Sequence, residues 1–122
     1  MDKTEAIAAF AALSQSARLD AFRLLVQAGD EGMLAGDIAR AVDVRQNTMS
    51  TNLSVLLRAG LIANHRQGRT VRYVADMEGL KGLLGFLLQT FQEFYQLDSW
   101  YKPKLFYLRG SPPDSHIAYL QI

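Results

Sequence analysis

Apolar residues recur every three or four positions along most of the chain, and a few short polar stretches break the phase. Over residues 34–62, LAGDIARAVDVRQNTMSTNLSVLLRAGLI, Ile38, Ala39 and Val42 form one stripe. Met49, Leu53, Leu56 and Leu57 form a second. Both have the spacing of half-buried helices. Asp43-Val44 lies between them. Aspartate tolerates a left-handed backbone better than most residues, which predicts a sharp corner there. Val44 then packs back under both helices, and Gly60 ends the second.

The same pattern places the other elements. Thr4 is the expected cap of a first helix with Ile7, Phe10 and Leu13 at helical spacing. A second helix falls between Ser14 and Gly29, with Ser16 as cap and Gly29 as stop. Its buried stripe reads Leu19, Phe22, Leu25 and Val26, while Arg18, Asp20 and Arg23 go to the solvated face. Met33-Leu34 reads as a short strand. After Gly60 the period changes to two. Residues 62–66 and 70–74 flank Gln67-Gly68-Arg69, the signature of a β-hairpin turning at a glycine. Residues 78–95 form a last helix carrying Leu80, Leu83, Leu84, Leu87, Leu88, Phe91, Phe94 and Tyr95. That face is too broad for one stripe, so the helix is buried on more than one side. A domain this small cannot cover it alone, and a partner subunit is the economical answer. Gly79, Gly82 and Gly85 recur along it, which fits either close approach of a neighbour or a weak helix start.

The second helix of the central pair divides cleanly. Its apolar residues face inward. Gln46, Asn47, Ser50, Thr51 and Ser54 face outward and supply short amides and hydroxyls near its N-terminus, suited to the floor of a DNA major groove. Any solvated helix face shares that look, but charge changes the picture. The chain has a formal net charge of only +1. Yet from Arg40 to Arg72 the charged residues are Arg40, Asp43, Arg45, Arg58, Arg66, Arg69 and Arg72, with a single acid among them. This local stripe is the footprint of a polyanion site. A hairpin tipped by Arg66 and Arg69, directly after a reading helix, makes a winged helix-turn-helix. The fold class is therefore mainly α with a small β-hairpin wing.

Three segments carry a resemblance to a known family: ALSQSARLDAFRLL, DIARAVDVRQNTMSTNLSVLLRAGLI and the wing RQGRTVRYV. Over residues 4–95 the chain resembles the ArsR/SmtB type of bacterial winged-helix repressors. The resemblance implies a homodimer joined by the first and last helices. It assigns Ile7, Phe10, Leu80, Leu84, Leu87, Leu88 and Phe91 to the dimer interface. It also implies operator contacts by Arg45, Gln46, Asn47, Thr48, Ser50, Thr51, Asn52, Ser54, Arg58, His65, Arg66 and Arg69. Asn52 stands where the family often has histidine, and Arg45 where it often has a Ser or Thr cap. The core looks closest to the arsenical-responsive branch, whose cysteine pair would fall near residues 89–93.

Composition narrows the chemistry. There is no cysteine, so there is no disulfide framework, and soft thiophilic ions have no ligand. The last helix has no histidine, and its acids Glu78 and Glu93 stand far apart, so no zinc site is expected. His65 and His116 are read as non-ligands, and no cofactor is implied. An enzyme is not expected, because no nucleophile has a base beside it and there is no phosphate-cradling loop. Nothing is long enough to span a membrane, and no signal peptide is read at the start, so a cytoplasmic location is expected.

One domain is expected over residues 1–96, followed by an aromatic-rich extension over 97–122. The extension holds Trp100, Tyr101, Phe106 and Tyr107, a Gly-Ser-Pro-Pro turn, and a possible strand over 116–122. It reads either as a cover for apolar surface or as a pocket for an apolar small-molecule effector. Two functions follow: a homodimeric DNA-binding repressor released by a signal, or a winged-helix module for protein or RNA. The polar outer face favours the first, since a protein-binding module would show an apolar anchor there.

Overall fold

A computed structural model describes residues 1–95, with side chains described for residues 1–89. Its order is α1 (Lys3–Leu13), α2 (Ser16–Ala28), a 3-10 turn (Gly29–Glu31), β1 (Met33–Leu34), α3 (Ala35–Val42), α4 (Gln46–Arg58), β2 (Ile62–Gln67), β3 (Thr70–Ala75) and α5 (Met77–Tyr95). Met1–Phe86 make one compact unit. A second unit starts at Leu87, inside α5, and its described part is the rest of that helix. The expected boundary at 96/97, the aromatic extension and the side chain of Phe91 lie outside the described residues.

The core of the first unit is small and apolar. Leu25 of α2, Ile38 of α3, Met49, Leu53 and Leu56 of α4, and Leu61 just beyond are fully buried. Burial of each such side chain stabilises by about 1.5–3 kcal/mol. The corner falls where the pattern puts it. Asp43 has φ 64° and ψ 51°, and among the described residues it alone is a non-glycine with positive φ. The Asp43 N–H donates to Arg40 O at 3.3 Å and the Val44 N–H to Ala39 O at 3.0 Å. These two bonds satisfy carbonyls that end α3 and turn the chain into α4. Gly60, at φ 77°, closes α4 in the same way, with Gly60 N–H on Leu57 O and Leu61 N–H on Leu56 O.

The hairpin also matches its pattern. β2 and β3 pair antiparallel from Ile62↔Ala75 to Gln67↔Thr70, leaving a two-residue loop, Gly68-Arg69. Gly68 takes φ 63°, the positive value this tight loop needs at its first position. β1 joins the outer side of β3, Met33 opposite Tyr73, giving the order β1-β3-β2. Gly32 is obligatory for this pairing, since a Cβ there would overlap the Tyr73 carbonyl oxygen.

Four details differ from the sequence pattern. Asp2, not Thr4, caps α1, through a reciprocal capping box with Glu5 at 2.7 and 2.8 Å. The buried face of α1 is Ala6, Ala9 and Ala12, whereas Ile7 is 57% and Phe10 42% exposed. Both sets have helical period, and the small one lets α1 lie close to its neighbours. Gln15, not Ser16, caps α2. On α2, Ala17, Ala21, Phe22 and Leu25 are buried, while Leu19 and Val26 are exposed. Here too small residues take the place given to larger ones.

α5 starts from an Asp76 cap, whose Oδ1 accepts from Glu78 N–H at 3.0 Å and Gly79 N–H at 3.2 Å. Leu83 is buried, and Leu80 and Phe86 pack partly against the core. Leu84 is 46% and Leu87 44% exposed, and Leu88 is half-buried. Gly79 answers the question its spacing raises. A Cβ on it would overlap the Gly60 carbonyl oxygen, so close approach is the reason for it. The neighbour is the turn that ends α4 rather than another helix. Gly82 has only the Met1 side chain nearby, at 3.5 Å.

Candidate nucleic-acid interface

α4 presents its polar residues outward. Gln46, Asn47, Thr48, Ser50, Thr51 and Ser54 are all exposed, and Met49, Leu53 and Leu56 beneath them anchor the helix. No side chain caps its N-terminus, because Arg45 stands at the cap position without a capping hydrogen bond. The first-turn N–H groups therefore stay available to an anion. One exception is the Thr48 N–H, which donates to Asn47 Oδ1 at 2.8 Å.

The outward polar groups are unequally engaged. The Thr51 hydroxyl donates to Asn47 O at 3.3 Å, and the Ser54 hydroxyl to Ser50 O at 3.1 Å. Among the described residues the Gln46 amide and the Ser50 hydroxyl have no hydrogen-bond partner.

Asn52 is the correction. It does not join the outward row: it is 6% exposed, and its Oδ1 accepts from Arg18 at 3.3 Å. A buried amide turned into the protein cannot meet a base edge or a phosphate. The sequence holds the signal, since Asn52 is three residues after Met49 and four before Leu56, on the buried stripe. Its partner Arg18, expected on the solvated face, is partly buried and bonded to α1 and α4.

The basic stripe also sorts itself. Arg40 pairs with Asp37 one turn earlier. Arg72 donates to the carbonyls of Glu31 and Gly32, tying β3 to the preceding loop. Arg45, Arg58, Arg66 and Arg69 are exposed and have no ion pair among the described residues. Four unpaired guanidinium groups thus remain beside α4 and on the wing. Adjacent strand residues point to opposite faces, so exposed His65 and Arg66 cannot serve the same side of the hairpin. Beyond Ala63 the wing's first strand is exposed, so its tip stands clear of the core.

A reading helix seated on a helical corner, followed by a basic two-stranded wing, is a geometry this chain shares with known proteins. A family model described as a helix-turn-helix domain matches residues 13–65, from the end of α1 into β2. The chain is similar to an ArsR-like transcriptional regulator from Rhodococcus sp. RHA1, 26% identical, covering 76% of this chain and 85% of that one, TM-score 0.69. The chain has the winged helix-turn-helix fold of ArsR-type regulators.

The helix-turn-helix match and the regulator neighbours make it a DNA-binding transcription regulator. NolR from Sinorhizobium fredii is a second similar structure, 26% identical over 78% of this chain and 88% of that one, TM-score 0.57. A third is a homodimeric winged helix-turn-helix DNA-binding domain from Mycobacterium bovis, 22% identical, covering 77% and 85%, TM-score 0.59. At that identity the likeness concerns the fold. No curated protein matches the chain.

Among the described residues no three His, Cys, Asp or Glu side chains gather where they could hold an ion. No described helix is long and apolar enough to cross a membrane. The expected effector pocket of the aromatic tail lies outside the described residues.

Proposed function

We propose that this regulator is a homodimeric repressor that reads an operator with α4 and is released by a signal. The row of exposed amides and hydroxyls on α4, bordered by four unpaired arginines, carries this reading. Gln46, Asn47, Thr48, Ser50, Thr51 and Ser54 face the major groove. Arg45, Arg58, Arg66 and Arg69 hold the flanking backbone, and His65 approaches it from the other face of the hairpin.

Self-association rests on Ile7 and Phe10 of α1 and on Leu84 and Leu87 of α5, large apolar side chains that the chain itself leaves exposed. Leu88, half-buried on α5, is assigned to the interface as well, and Leu80 contributes only what its own core leaves free. The M. bovis structure is homodimeric, which supports self-association here. We assign residues 1–96 to DNA binding and dimerisation and 97–122 to an extension that covers apolar surface or receives an apolar effector. With no cysteine in the chain, a thiophilic ion is a poor candidate for the signal.

The test is selection of bound duplexes from a random pool, with sedimentation of the same protein. A recovered sequence with two-fold symmetry, bound by a dimer, is expected. A pool that stays random, bound only by charge, refutes operator reading.

A further inference from the structure

Arg18 is where three helices meet. It stands in the first turn of α2, and its backbone N–H donates to the Gln15 side chain at 2.9 Å. Its Nε donates to the Ala12 carbonyl at 2.7 Å, and one terminal nitrogen reaches the Ala11 carbonyl at 3.5 Å. Those carbonyls end α1, which has no basic residue in its own last turn. The guanidinium supplies both the donors and the positive charge that a helix C-terminus favours. The other terminal nitrogen donates to Asn52 Oδ1 at 3.3 Å, in the middle of α4. One planar fork thus joins the end of α1 to the buried side of the reading helix.

We propose that Arg18 and Asn52 form a clamp fixing the rotation of α4 against α1, which makes Asn52 a positioning residue for operator reading. Stability alone does not account for Asn52. It is 6% exposed, and its Nδ2 is buried without a hydrogen bond among the described residues. A buried donor left unpaired is a net cost, so an apolar side chain of the same shape would serve the core better. What the amide supplies is direction. Thr51 and Ser50 precede it on the helix and stand on the outer face, so any turn of α4 about its axis moves them across the groove.

The inference rests on the homodimeric reading proposed above. α1 carries Ile7 and Phe10 of the dimer surface, while α4 carries the base contacts. Two reading helices in a two-fold dimer must meet half-sites about 34–36 Å apart at once. The angle between α1 and α4 then decides whether both fit.

Two variants of the full chain test this. Asn52→Leu keeps the shape and removes the unpaired amide. Arg18→Lys keeps the charge but not the planar fork. Each is melted, then titrated with the duplex that the wild-type chain selects, with a single half-site and with random duplex. We expect Asn52→Leu to melt at or above the wild-type temperature and yet lose about tenfold on the selected duplex. It should lose less on the half-site and nothing on random DNA, with an unchanged salt slope. Arg18→Lys should show the same pattern on DNA, and the double variant should lose no more than either alone.

If Asn52→Leu binds the selected duplex as the wild type does, the clamp is refuted and the repressor reading stands. Equal losses on both DNAs would make Asn52 a direct phosphate contact and also overturn it. So would losses that multiply in the double variant, or a fall in melting temperature that tracks the loss in affinity. Should Arg18→Lys fail to fold, Asn52→Leu decides alone. A wild-type chain with no preferred duplex overturns the repressor reading, and the clamp with it.

Discussion

Asn47 and Arg66 both stand exposed on the proposed DNA surface, but removing them should have different effects. Asn47 projects from the first turn of α4, where an amide can meet a base edge. Asn47→Ala should cost about 1–3 kcal/mol on the selected duplex and much less on random DNA. Arg66 has no ion pair to release among the described residues, so its charge is fully available to phosphate. Arg66→Ala should weaken both DNAs alike and flatten the log–log salt slope by about 0.9 for each phosphate no longer neutralised. Salt titration of both variants on both DNAs separates the roles. Equal losses in specificity and slope would refute the division, and so would an Arg66 loss confined to the selected duplex. Most of this surface was legible residue by residue, because exposure on a helix follows from period. Asn52 was not, because its polar character masks its place on the buried stripe. Arg18 was not, because nothing local marks a partner 34 residues away.

Between elements, backbone lies close on backbone where α5 begins against the turn that ends α4. Gly79→Ala gains helix propensity of about 1 kcal/mol. It also drives a Cβ into the Gly60 carbonyl, which cannot move without undoing the end of the reading helix. The clash should win, with a net loss of about 1–3 kcal/mol in denaturant unfolding. Gly82→Ala meets only the pliant Met1 side chain at ordinary van der Waals distance, so it should gain up to about 1 kcal/mol. If Gly79→Ala proves neutral or stabilising, the two helices are not locked as described. The corner at Asp43, the hairpin and the start of α5 were readable because each has its own turn or cap chemistry. The inner faces of α1 and α2 were not. Two stripes of equal period compete there, and size decides between them only once the neighbours are in place.

For the whole molecule, the question is what covers Ile7, Phe10, Leu84 and Leu87. Leu84 is 46% exposed in the single chain, so a charge there should leave the fold intact. Leu84→Glu should keep the wild-type circular dichroism spectrum, sediment as a monomer and bind the selected duplex weakly. The wild type should be dimeric at tens of micromolar, a rough range well above typical specific affinities. A wild-type monomer under those conditions would sink the proposed assembly. The sequence pointed to a partner from the breadth of the apolar face of α5. It could not show that α1 also keeps two large apolar side chains outside, because that depends on alanines taking the inner face.

The hydroxyl bonds along α4 have a consequence for the operator itself. Thr51 and Ser54 each give their only proton to a carbonyl one turn back. What they turn outward is lone pairs. Two oxygens that accept and do not donate are matched, in the major groove, by exocyclic amino groups: N6 of adenine or N4 of cytosine. Guanine and thymine edges offer only acceptors on that side and would face them unpaired. The bases opposite Thr51 and Ser54 in the selected duplex should therefore be adenine or cytosine. Replacing such an adenine by purine, which lacks only the amino group, should cost the wild-type chain about 1 kcal/mol. The same replacement should cost a Thr51→Val, Ser54→Ala variant nothing.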